Sequence, residues 1–212
     1  MGCPISGGVE LSRIAIFGTG GMGRELADIV RASGGPDLVF VIDQPEGPVD
    51  GIEVISPDLL RPDDELLIAL GSSVDRRKVA ERFEGHRFAT VISSTARISP
   101  SATLGEGSAV CDLALINNGA RIGRHFQANC FAQVSHDCVI GDFVTFAPRV
   151  TCNGWVEIGD DVFVGAGAVI RNGKPGWPLQ IGKGAFIGMG AVVTSDVEAR
   201  AKVVASPAER RD

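Results

Sequence analysis

Residues 122–157 read IGRHFQ ANCFAQ VSHDCV IGDFVT FAPRVT CNGWVE, a run that falls into blocks of six. Each block opens on an apolar or small residue: Ile122, Ala128, Val134, Ile140, Phe146 and Cys152. The beat runs outward in both directions, back through Ile116, Val110 and Leu104 to Ile98, and on through Ile158 and Val164 to Ile170. It slips once and resumes at Ile181, Ile187 and Val193. A second small or apolar side chain stands four places after most leads, as at Ala114, Ala120, Ala132, Cys138, Val144, Val150 and Val156. Glycine often follows the lead directly, as at Gly105, Gly123, Gly141 and Gly159. A helix needs a period near 3.6 and a simple strand a period of 2. Six fits a short strand plus a turn, stacked repeatedly, which is the pattern of a parallel β-helix. No single unit can bury its apolar residues, so the stack shares one continuous core.

Composition limits what such a chain does. The formal charge of −6 and the lack of a Lys/Arg block argue against general nucleic-acid binding. No apolar run is long enough for a membrane span. Met1 to Leu11 reads as a loose lead-in, without the basic start and apolar stretch of a secretory signal. None of the cysteines, Cys3, Cys111, Cys130, Cys138 and Cys152, form a C-x-x-C pair. Cys138 and Cys152 fall on inward positions of the beat, as small buried hydrophobes in a reducing cytoplasm would. The clustered ligands of a zinc site are missing, and no metal is expected.

Ahead of the repeats the pattern changes. Arg13 to Phe17 reads as a buried strand running into Gly18-Thr-Gly20-Gly21-Met22-Gly23, then a helix from Arg24 to Ala32. Glycines let the backbone turn sharply and approach a ligand, and a helix N-terminus offers free N–H groups to phosphate. Leu38 to Ile42 is a second strand, ending at Asp43, which lies 20 residues past Gly23, where a dinucleotide fold places its ribose-binding acid. Leu66 to Leu70 is a third strand, followed by Gly71-Ser-Ser73 and a helix from about Val74 to Phe83. These elements imply a small parallel sheet, too short for the full two-halved dinucleotide fold. A nucleotide-type ligand is expected at the glycine loop; a tight turn serving only packing is the alternative. Arg87 to Ser94 links the two halves. Between Ile170 and Ile181 the insert Gly173-Lys-Pro-Gly-Trp177-Pro178 predicts a projecting loop of the kind that lies on the binding face of a repeat stack.

The chain has three histidines. His86 reads as solvated, and His125, on a turn beside Arg124, as structural. His136, in Val134-Ser135-His136-Asp137, stands two places after a lead, where side chains leave the core. An imidazole titrates near neutrality, and a neighbouring carboxylate can hold its tautomer. Neighbours on a straight strand point to opposite faces, so Asp137 reaches His136 only if the chain bends there.

These repeats resemble the left-handed β-helix of hexapeptide acyltransferases, an exception to right-handed crossovers. From about residue 13 to 208 the chain resembles the bacterial sugar acetyltransferases, a group that includes sialic acid O-acetyltransferases and N-acetyltransferases of nucleotide-linked 4-amino sugars. The most specific pieces are Gly18-Thr-Gly-Gly, Ile68-Ala-Leu-Gly71 and Ser135-His-Asp-Cys-Val-Ile-Gly141. The resemblance implies a Rossmann-like nucleotide-sugar-binding domain over 1–93 and a left-handed parallel β-helix acyltransferase domain over 94–212. It implies a cytoplasmic homotrimer that uses acetyl-CoA and a nucleotide-linked sugar, with active sites between neighbouring β-helices. His136 matches the catalytic base and Asp137 the acid beside it. Thr145, Gly154, Ala166 and Met189 match positions lining the acetyl-CoA groove. Gly20, Gly21, Met22, Asp43, Gln44 and Gly71 match nucleotide-sugar positions, and Asn129 an asparagine near the site. The chain departs from the family pattern in three places. Met22 stands where histidine is frequent, and Thr145 replaces a second histidine. The tail reads Ala205-Ser-Pro-Ala208 with Glu209 where lysine is common, leaving Arg210 to meet the CoA phosphates.

The expected reaction is acetyl transfer to the amino group of a nucleotide-linked sugar. O-acetylation of a sugar hydroxyl and a non-catalytic trimeric nucleotide-sugar-binding protein are the alternatives. A nicotinamide-dependent oxidoreductase would use the glycine loop and Asp43 but leaves the repeats unexplained.

Overall fold

The computed structural model describes residues 13–205. The expected lead-in with Cys3 and the tail from Ser206, including Glu209 and Arg210, lie outside the described residues.

The first unit is one parallel sheet flanked by helices. Strands β1 (Ile14–Phe17), β2 (Leu38–Val41), β3 (Val54–Ile55), β4 (Glu65–Ile68) and β5 (Arg87–Phe88) lie in the order β3-β2-β1-β4-β5. Helix α1 (Gly21–Ala32) buries Leu26, Ala27, Ile29 and Val30, a stripe at helical spacing. It starts three residues earlier than the sequence suggested, so the end of the glycine loop is itself the first helical turn. Helix α2 (Ser73–Arg82) is capped by Ser72, whose Oγ accepts from Asp75 N at 3.2 Å. The sheet stops at five strands, short of the two-halved fold that holds a nicotinamide dinucleotide.

Val91 and Ile92 already pair with Ala109 and Val110, so the first rung of the solenoid begins ahead of the expected boundary after residue 93. From there the chain coils with three faces. The first face carries rungs such as Gln127–Ala128 and Thr145–Phe146, the second Gln133–Val134 and Thr151–Cys152, the third Arg121–Ile122 and Val139–Ile140. Ahead of the insert, each strand pairs in parallel with the strand one coil, 18 residues, further on, as Ile116 does with Val134. At the insert the step widens, and Ile158 pairs with Ile181. Leads and their partners four places on fill a single core from Val110 to Val197. Phe126 is the aromatic residue in the smaller column; it packs edge-on against Phe146 at 5.3 Å, and the small Ala128 is its neighbour two places on.

The corners carry a feature that the glycine pattern did not announce. The third residue after most leads adopts positive φ: Leu113 (58°), His125 (55°), Phe131 (61°), Asp137 (57°), Phe143 (58°), Arg149 (62°), Trp155 (59°) and Asp161 (60°), with Gly107 and Gly119 in the same column. Each side chain there costs about 1–2 kcal/mol relative to ordinary backbone. The shared core of the stack offsets that cost.

The α/β unit docks on the first face. Arg76 of α2, fully buried, is the latch. Its Nε donates to His125 O at 3.0 Å, Nη1 to Leu70 O at 2.7 Å and Gln127 Oε1 at 3.2 Å, and Nη2 to Phe143 O at 2.7 Å and Thr145 Oγ1 at 2.9 Å. Burial lowers the Arg76 pKa to about 10, so it stays charged at neutral pH. Burial, and then the Arg76 charge, hold His125 down at about 4. His125 is stacked on Phe143 at 4.6 Å and edge-on to Phe88 at 4.7 Å, a neutral packing element as its turn position suggested.

Candidate active site

The corner between the second and third faces holds the reactive pair. Positive φ at Asp137 bends the chain, and its Oδ2 lies 2.9 Å from His136 Nδ1. The bend is the condition under which sequence neighbours can meet. A carboxylate only accepts, so Nδ1 carries the proton and Nε2 presents its lone pair. The His136 side chain is 48% exposed, which leaves Nε2 open. The rungs on either side are shaped around this pair. A Cβ on Gly154 would sit 2.5 Å from both Nε2 and Cε1 of His136, and one on Gly119 would sit 2.6 Å from Asp137 Oδ1. The ring therefore lies flush on Gly154. Trp155 closes its side edge-on, centroids 6.2 Å apart, and the Trp155 backbone N–H donates to His136 O at 3.2 Å.

A second constellation sits at the carboxyl edge of the sheet. Parallel strands β1 and β4 are neighbours there, the switch point where open α/β folds bind ligands. Gly18 N donates to Val41 O at 3.0 Å, bringing the end of β2 and the stretch to Asp43 beside the glycine loop. A Cβ on Gly23 would overlap Gly18 O, so this glycine is what lets α1 pack against the strand. Gly20, Gly21 and Gly71 have open space where a side chain would be, and Gly20 caps α1 without a side-chain bond. Free N–H groups, an open approach and a helix N-terminus suit a phosphate. Met22 is half-buried against the core below. Asp43 and Gln44 are exposed, and Asp43 Oδ1 meets Arg82 Nη1 at 2.7 Å, a partner the sequence reading missed because α2 lies 39 residues away.

The remaining expected positions do not gather around His136 within one chain. Asn129, Ala166 and Met189 lie on the corner between the first and second faces, across the width of the second face from His136. Asn129 Nδ2 donates to Phe146 O at 2.8 Å, and Met189 is 74% exposed. Thr145 departs from its expected place in a donor groove. It is 2% exposed in the seam between the two units, its hydroxyl accepting from Arg76 and donating to Gly71 O at 3.2 Å. Among the described residues, no group of three or more His, Cys, Asp or Glu is placed to hold a metal.

Comparison with known proteins gives this geometry a setting. Residues 13–83 match the family model of the PglD N-terminal domain. The chain is 39% identical over 206 residues to the GDP-perosamine N-acetyltransferase of Escherichia coli O157:H7, covering 91% of this chain and 93% of that one. Among solved structures it resembles WeeI from Acinetobacter baumannii AYE, with a TM-score of 0.88 at 38% identity over 93% of this chain and 99% of that one. It also resembles PerB from Caulobacter crescentus, solved in complex with CoA and GDP-perosamine, with a TM-score of 0.81 at 28% identity over 95% and 98%.

Proposed function

We propose that this chain, which belongs to the bacterial sugar acetyltransferases with a PglD-type N-terminal domain and a left-handed β-helix, transfers acetyl from acetyl-CoA to the amino group of a nucleotide-linked amino sugar. The observation that carries the reading is the imidazole of His136, held through Nδ1 and open at Nε2. Nε2 takes a proton from the amine as its nitrogen attacks the thioester carbonyl. The C–N bond forms, the C–S bond breaks, and the proton passes to the leaving thiolate. The Gly154 N–H beside the ring is the donor we assign to the oxyanion. A thioester is already activated, so no covalent enzyme intermediate is required.

Gly20, Gly21 and Gly71 would take the diphosphate, and Asp43 the ribose in exchange for its exposed pair with Arg82, which is worth less than about 1 kcal/mol. GDP-perosamine, the substrate in the name of the Escherichia coli relative, is the first acceptor to test. Thiol release is expected with this amino sugar. Release with sialic-acid-type hydroxyl acceptors and none with any nucleotide amino sugar would replace N- by O-acetylation. No release with either would leave a binding protein. Acetyl-CoA and nucleotide sugars are cytoplasmic metabolites, and the described cysteines, Cys111, Cys130, Cys138 and Cys152, are free, in keeping with a reducing compartment.

The separation of expected site residues onto two corners supports a homotrimer. Outward positions of the second face include Leu115, Val169 and Val192, 38%, 37% and 67% exposed, whereas the third face presents Arg121, Glu157 and Gln180. Pairing second faces around a threefold axis would cover that apolar surface. It would also set His136 of one copy against Asn129, Ala166 and Met189 of the next. Leu115→Asp combined with Val169→Asp is expected to give a folded monomer with turnover lost, measured by light scattering and thiol release. A wild-type protein that is monomeric at assay concentration and fully active would overturn the shared site.

A further inference from the structure

The insert at Gly173 lies on the same corner as His136, and its role is not set by the repeats. Lys174 and Trp177 close a tight hairpin, Lys174 N donating to Trp177 O at 3.0 Å and Trp177 N to Lys174 O at 2.9 Å. Pro175 fixes one turn residue, and Gly176 supplies the positive φ of 75° at the other. The hairpin is anchored below: Gly173 N donates to Gly154 O at 3.0 Å, and Leu179 N to Trp155 O at 3.1 Å. A side chain at Gly173 would run into Trp155 O. Gly154, on which the hairpin rests, also carries the His136 ring, so the base of the hairpin stands two rungs from the imidazole, about 10 Å along the stack.

This rigid support holds an indole that is 81% exposed. Both tryptophans of the chain, Trp155 and Trp177, stand on this one corner. Trp155 is half-buried beside the imidazole; Trp177 faces outward over a pocket of about 440 Å³ lined by Arg171, Asn172, Lys174, Trp177, Pro178 and Asp196. Asp196 Oδ1 is already taken by Gln180 N at 2.9 Å. The pocket thus offers an aromatic plane, two cations and one carboxylate, a net positive lining, on a corner whose next rungs lead to His136. An indole stacks a nucleobase, and guanidinium and ammonium groups bind phosphates.

We infer that the Lys174–Trp177 hairpin and its pocket seat the nucleotide end of the acyl donor, with the adenine on Trp177 and the phosphates on Arg171 and Lys174. This rests on the acetyl-CoA reading above. The pantetheine arm then runs along the corner past Gly173 and Gly154 and delivers the thioester to His136.

The test compares two donors, acetyl-CoA and acetyl-pantetheine, which carries the same thioester without the nucleotide. Trp177→Ala is expected to raise the KM for acetyl-CoA roughly tenfold, within the range of a lost base–aromatic stack. It leaves the KM for acetyl-pantetheine within twofold and the melting temperature unchanged. Calorimetric titration with adenosine 3′,5′-bisphosphate gives a readout independent of turnover: wild type binds, and Trp177→Ala binds about tenfold more weakly. An acetyl-CoA KM within twofold of wild type, or equal weakening of both donors, overturns the inference while leaving acetyl transfer intact. Bisphosphate binding that needs Trp177, in a protein inert with every acceptor, sustains the site and sinks the transfer reading instead.

Discussion

His136→Ala lowers kcat by roughly 10²–10⁴-fold, the usual worth of a positioned general base. The geometry makes the substitution a clean one. The side chain is half-exposed and the φ strain of this corner falls on Asp137, so the fold loses little when the ring is removed. Neither constellation that would bind the nucleotide moieties includes His136, so the KM values are expected to move little. Asp137→Asn separates orientation from proton transfer. Asparagine tolerates the same positive φ of 57°, so the backbone is undisturbed, but its amide can hold either tautomer of the imidazole. The loss expected is smaller than for His136→Ala and confined to kcat. Turnover of His136→Ala within tenfold of wild type, with acetyl-CoA and the true acceptor, would remove His136 as the base.

The beat from Ile98 to Ile170 made the solenoid legible because inward positions are set by a fixed period, and a period survives any choice among Val, Ile, Leu, Cys or Phe. The glycine loop was legible because its chemistry is local: Gly18 and Gly23 must accommodate each other within six residues. Its helix start was missed by three residues, since glycine is a poor helix former and the first turn is held by the strand beneath it. The positive-φ corners were hidden because the stack imposes them on Phe131, Phe143 and Trp155, residues with no local preference for that conformation. His136 was recognisable as outward, yet its contact with Asp137 depended on such a corner. Thr145 sits on an outward position of the beat, where nothing local indicates that another unit covers it. That seam is written in α2, 69 residues upstream, and no periodicity links the two.

Arg76→Met is expected to be strongly destabilising, by about 3–5 kcal/mol, because several buried neutral acceptors lose their donor at once. Five acceptors depend on this guanidinium, among them His125 O and Phe143 O from two successive coils and Leu70 O just before Gly71. Methionine fills much of the volume but leaves those oxygens without their donors, each at about 1–3 kcal/mol before relaxation. The melting temperature should fall by roughly 6–20 °C for a chain of this size. Arg77→Met is the control. Arg77 pairs with Asp161 at 2.8 Å, but its side chain is 29% exposed, and water can replace what is lost, so about 1 kcal/mol is expected. Arg76→Lys does not rescue, because a compact ammonium cannot reach acceptors spread along a planar fork. The consequence extends to function. Leu70 O and, through Thr145, Gly71 O hang on this residue, so losing it frees the second loop of the nucleotide mouth from the β-helix that carries His136. Surviving Arg76→Met protein should therefore show a raised KM for the nucleotide sugar and an unchanged KM for acetyl-pantetheine. A melting temperature within about 2 °C of wild type would mean that the two units are held together elsewhere, and that the seam only fills space.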